Sequence, residues 1–118
     1  MDIGQCIRAA RKGCGLSQVE LAELASVSRS ALVALESNRG AVSTLIKVRP
    51  HIGFRIVGLA NGSEPAEQVH KARKRRGLSV ANVAAGAGLS SPTVRLLEQG
   101  GGRIQSLSSV ISFLAPRA

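Results

Sequence analysis

The chain aligns with itself when Arg11 is laid on Arg73, and this internal repeat constrains its fold more than any other feature. RKGCGLS at positions 11–17 returns as RKRRGLS at positions 73–79. The register then holds without a gap: Ala22 meets Ala84, Ser28 meets Ser90, Leu35-Glu36 meets Leu97-Glu98, Gly40 meets Gly102, and Leu45 and Val48 meet Leu107 and Val110. Conservative pairs such as Ile7/Val69 and Leu32/Val94 fill the intervals. The chain of 118 residues therefore reads as two copies of one folding unit, about 3–53 and 65–115.

Each copy has the punctuation of four short helices. Ile3, Ile7 and Ala10 mark one helical face, and GCG at 13–15 ends it. Ser17, with Glu20 three positions later, makes a capping-box pattern for a second helix running to about Ala25. Ser28 caps a third helix that ends near Ser37. Ser43 starts a fourth that stops before Pro50. The second copy repeats the plan at 65–76, 79–86, 90–99 and 106–115, with Pro92 in a first helical turn, where a missing N–H does little harm. Between the copies, FRIV at 54–57 has β-forming residues and too little length for a helix, so it predicts one short strand before a turn at NGS.

Apolar residues make up 44% of the chain and aromatics only 2%. The core must come from Leu, Ile, Val and Ala, and the stacking platforms of single-strand and RNA binders are missing. The net charge of +9 is spread along the chain, which points to a folded basic surface for a polyanion. Cys6 and Cys14 fit no zinc spacing and read as small, buried or half-buried apolar residues. No signal peptide or membrane-length apolar run is evident, which predicts a cytoplasmic protein. A Ser/His/Asp set and a GxGxxG loop are absent from the sequence, and Gly86 and Gly88 fall in a turn. The expectation is a non-enzyme that needs no cofactor or metal.

Two short helices joined by a tight turn, the second with an exposed face, form a helix-turn-helix. GLSQVELAELASVSRSALVALE at 15–36 resembles the Cro and phage-repressor (XRE-type) helix-turn-helix family, and GLSVANVAAGAGLSSPTVRLLEQG at 77–100 resembles a second member. The predicted fold is all-α: a first unit at 1–53, a strand and linker at 54–64, and a second unit at 65–118. The resemblance implies that the third helix enters the major groove of double-stranded DNA.

Placing Leu32 and Leu35 on the buried side leaves Arg29, Ser30, Val33, Ala34 and Ser37 on the other. Arg29, Ser30 and Ala34 become the base readers that the resemblance implies. It also implies a phosphate role for Gln18, with Ser28 at the helix start and Asn38 and Arg39 along the backbone. Arg11 stands as far before Glu36 as Arg73 stands before Glu98. In the family these positions form inward-facing ion pairs, so R…GLS reads as a folding phrase. Lys71, Lys74, Arg75 and Arg76 form a basic helix end special to the second copy and suited to phosphate. Ser91, Thr93, Arg95 and Arg103 are its other candidate DNA contacts. Pro92 and Leu96 depart from the family pattern, and Leu96 also suits a protein surface.

These features predict a sequence-specific, nucleoid-associated transcriptional regulator from a bacterium or mobile element. The alternatives are an antitoxin or the targeting module of a DNA-processing enzyme. FRIV alone leaves backbone groups unpaired, which predicts a homodimer joined through 54–57; pairing with 103–105, or an extended linker, is the other arrangement.

Overall fold

The computed structural model describes residues 2–56, 59–60, 62 and 64–115. Among these residues the chain forms eight helices: α1 (Ile3–Gly13), α2 (Gln18–Ala25), α3 (Arg29–Glu36), α4 (Val42–Ile52), α5 (Pro65–Arg75), α6 (Val80–Ala87), α7 (Ser91–Glu98) and α8 (Ile104–Leu114). Every helix of the second set begins and ends where the repeat register places its counterpart. The packing repeats as well. In the first set α1 packs on α3 and α4, α2 on α3 and α4, and α3 on α4; the second set has the same pairs.

The repeated phrase acts at the corner between the first two helices of each set. Gly15 and Gly77 have φ of 73° and 66°, a left-handed conformation that glycine adopts without a Cβ penalty. Arg11 then reaches back to the Leu16 carbonyl at 2.9 Å, and Arg73 to the Leu78 carbonyl at 3.0 Å. Ser17 and Ser79 cap the next helix, each in a reciprocal capping box, with Glu20 and Asn82 respectively. Glycine, arginine and serine are each required there, while the two residues before the glycine are free to vary.

One hydrophobic core runs through both sets, from Ile3 to Leu114, and includes Ile56 and Leu59 of the connection. The described part of the connection is therefore packed. The buried Gln68 amide donates to the Ile56 carbonyl at 2.7 Å and to Ala60 at 3.1 Å, and Arg75 donates to Leu59 at 2.6 Å. Phe54, Arg55 and Ile56 belong to no strand. Val57 lies outside the described residues. The predicted strand thus gives way to a docked coil, because burying Ile56 within the chain and hydrogen-bonding its carbonyl replaces sheet pairing.

The only bridge among the described residues is antiparallel, between Ala41 and Arg103. Val42 N–H donates to Gly102 at 2.9 Å, and Ile104 N–H donates to Gly40 at 3.0 Å. These are first-turn donors of α4 and α8, and neither helix has a side-chain cap. Each set therefore caps the fourth helix of the other. This is why α4 starts before Ser43, and why α8 starts at Ile104 instead of 106. At the other end α4 runs through Pro50 to Ile52, past the predicted stop. The buried Ile52 draws the last turn inward, and Gly53 at φ 66° closes it.

Candidate nucleic-acid interface

Helix α2 ends at Ser26, which takes the left-handed conformation with φ 56°. Val27 follows, and the Ser28 hydroxyl accepts the Ala31 N–H at 3.0 Å to open α3. Leu32 and Leu35 are buried, whereas Arg29, Ser30 and Val33 are exposed and Ala34 is half-buried. The exposed side of α3 is thus a guanidinium, a hydroxyl and small apolar groups. That mixture suits base edges and a thymine methyl.

The inward side holds the Arg11 and Glu36 pair. Arg11 Nε lies 2.6 Å from Glu36 Oε2 and its Nη2 lies 3.1 Å from Oε1; the carboxylate has no exposed surface. Gln18 Nε2 donates to Oε1 at 3.2 Å, and Arg8 Nε approaches at 3.4 Å. Burial alone would raise the Glu36 carboxyl; the hydrogen bonds from Arg11 and Gln18, the Arg11 charge and the Arg8 contact outweigh it and hold it below its ordinary value. In the second set Arg73 Nε lies 2.7 Å from Glu98 Oε2, and His70 Nδ1 lies 2.7 Å from Oε1. Glu98 is held low in the same way: against the effect of burial stand hydrogen bonds from Arg73 and His70 and then their charges. Arg8 and His70, one turn before each arginine, escaped the sequence reading. Their signal was the repeated i, i+3 spacing of basic groups on one helix face.

The other candidates fall into two groups. Arg29, Arg39, Lys74, Arg95 and Arg103 are exposed, and none has a side-chain hydrogen bond or ion pair with any described residue. The rest have partners. Arg75 holds Leu59, Lys71 pairs with Glu67 at 3.2 Å, and Arg76 donates to the Phe113 carbonyl at 2.9 Å with its guanidinium 5.3 Å from that ring's centre. Asn38 accepts the Gly4 N–H at 3.2 Å, tying the end of α3 to the start of α1. Thr93 and Ser90 share a 2.8 Å hydroxyl contact at the start of α7, where Ser91 is half-buried. Leu96 is 47% exposed and leans over Gly101. Cys6 and Cys14 are exposed, contrary to expectation; Cys6 points away from the Ile3/Ile7 face, and Cys14 lies past the end of α1.

An open cavity of about 700 Å³ lies at the start of α6, with Lys74 and Arg95 on its walls beside Ser79, Val80 and Ala81. It joins two cations to the free N–H groups of a helix start, a combination suited to phosphate oxygen. No described helix is long and apolar enough to cross a membrane.

Comparison with known proteins found no match among curated proteins and none among solved structures. A family model described as helix-turn-helix matches residues 7–46, which contain α2, its turn and α3 entire. Its members are DNA-binding and non-enzymatic. Residues 7–46 are thus similar to helix-turn-helix domains of the Cro/C1 (XRE) type.

Proposed function

We propose that the chain is a sequence-specific, double-stranded DNA-binding transcriptional regulator with two helix-turn-helix units, 1–53 and 65–118, acting on the nucleoid. The observation that carries this reading is the exposed face of α3. Arg29 and Ser30 open it with the guanidinium unpartnered among the described residues, on a helix whose other side is fixed by Leu32, Leu35 and Glu36.

In this reading Arg29, Ser30 and Ala34 meet base edges, and Arg39 holds a phosphate beyond the helix. Gln18 gives one amide hydrogen to Glu36 and keeps the other for a phosphate. The second unit contributes Arg95 and Lys74 at the mouth of the α6 cavity, and Ser91 at the start of α7 and Arg103 at the bridge are its further DNA contacts. Arg75 and Arg76 serve the fold, since their guanidinium groups already hold backbone carbonyls. Leu96, 47% exposed beside its own glycine-rich turn, leaves an apolar group on the outer face of α7.

Titration of a labelled duplex at increasing salt tests the reading. Six phosphate contacts give a slope of about −5 in log affinity against log salt. A flat profile removes DNA binding as the function.

A further inference from the structure

The two helix sets meet through their own equivalent residues. In the repeat register Gly40 corresponds to Gly102, Ala41 to Arg103 and Val42 to Ile104. The bond from Val42 to Gly102 becomes the bond from Ile104 to Gly40 when the sets are exchanged, and the Ala41–Arg103 bridge maps onto itself. An antiparallel pair of this kind has a local two-fold axis through its centre. It is the contact by which two copies of one subunit would form an isologous dimer, here made within one chain.

The axis is rigidly connected to the reading helices. Arg39 N–H donates to Ala34 at 2.8 Å, and its counterpart Gly101 donates to Leu96 at 3.0 Å, so each bridge strand is pinned to the end of its own α3 or α7. A Cβ on Gly100 would lie 3.7 Å from Ile46 Cδ1, so the two sets come close across the axis. The shared core and the docked connection prevent the sets from swinging apart. Two helices related in this way present inverted faces to a duplex, and an inverted repeat presents inverted sequence.

Two further observations narrow the site. The exposed faces differ: Arg29, Ser30 and Ala34 on α3 stand opposite Ser91, Pro92 and Leu96 on α7. The molecule is 41 Å along its longest axis. That length is an upper limit on the separation of the two reading helices, so two half-sites read at once lie no more than about one turn, 34–36 Å, apart, and two turns lie far outside it.

We infer that a single chain is a built-in pseudo-dimer that occupies one imperfect inverted repeat of duplex DNA by itself, with two dissimilar half-sites one helical turn apart. The inference rests on the DNA-binding reading above and adds its stoichiometry, symmetry and spacing.

The test selects duplexes from a random pool with the full chain, then measures the mass of the complex by sedimentation. The expected product is one chain per duplex carrying two unlike half-sites in inverted orientation, with centres about 10 base pairs apart. Inserting five base pairs between them turns one half-site to the opposite face and should weaken binding at least tenfold. Inserting ten restores the face but exceeds the reach of a 41 Å molecule, so binding should stay weak. Arg29→Ala should relax the preference in one half-site only, and Arg95→Ala, which removes a phosphate contact of the second unit, should weaken binding without relaxing either preference. Two chains per duplex, or affinity indifferent to the insertions, overturns the pseudo-dimer while leaving DNA binding intact. A pool with no enriched duplex overturns the DNA-binding reading and this inference with it.

Discussion

Glu36 keeps its charge without any exposed side-chain surface because four hydrogen bonds from Arg11, Gln18 and Arg8 replace its water. Glu36→Ala would leave Arg11 facing inward without its charged partner, and should cost about 3 kcal/mol of stability, read as a lower melting temperature. The lowered pKa fixes the direction of the pH effect. A depressed carboxyl stabilises the fold above its unfolded value, and that contribution fades as pH falls through the native one. Melting temperature should therefore drop as the medium is acidified below the ordinary value of 4.5, and Glu36→Gln with Glu98→Gln should flatten that acid limb. On the outer side of the same helix, Arg29→Ala should cost about 1–3 kcal/mol on the preferred duplex and little on random DNA. Equal losses on both would move Arg29 from base reading to phosphate contact.

Helix α1 crosses α3 so closely that a Cβ on Gly4 would lie 2.5 Å from the Asn38 backbone nitrogen and 2.7 Å from two α3 carbonyl oxygens. Alanine at an ordinary helix position stabilises relative to glycine by up to about 1 kcal/mol. Gly4→Ala should instead destabilise, because the obstacles are backbone atoms that cannot rotate away. Ala66 holds the equivalent place in α5, so the two sets differ in this crossing. Thermal denaturation of the variant decides the sign. At this scale the sequence was highly legible where local chemistry governs the outcome. The Ser17, Ser28, Ser79 and Ser90 caps stand at helix starts, and the matched spacing of Arg11 to Glu36 and Arg73 to Glu98 marks side chains that meet. It was illegible where a distant segment does the work. The starts of α4 and α8 depend on carbonyls of the opposite helix set, Ile56 is drawn from a strand into the core, and Gln68 is buried to hold the turn before it. Within the candidate interface, exposure of Arg29 followed from helical periodicity. The engagement of Arg75 and Arg76 did not, because their carbonyl partners come from the connection and from α8.

As a whole molecule the chain has one core across both helix sets, and this bears on how it unfolds. Two independent small domains would melt in two steps. A shared core, reciprocal caps and a packed connection should give one transition, with calorimetric and van't Hoff enthalpies in agreement. Glu36→Ala, although confined to the first set, should shift that entire transition without splitting off a component from the second. Separate melting of the sets would show that the Ala41–Arg103 contact joins them only weakly.

The reciprocal capping at Gly40 and Gly102 also bears on gene dosage. Paired subunits that must find one another dissociate when copies are few, and formation of the pair rises with the square of their number. Halves joined by a short connection remain at a fixed, high local concentration however few molecules the cell holds. Occupancy by such a molecule follows its abundance in simple proportion, so a handful of copies acts in the same way as a crowd. Because the halves are also encoded separately, one can drift toward a new sequence while the other stays in place, a freedom that a symmetric pair made from one gene segment lacks.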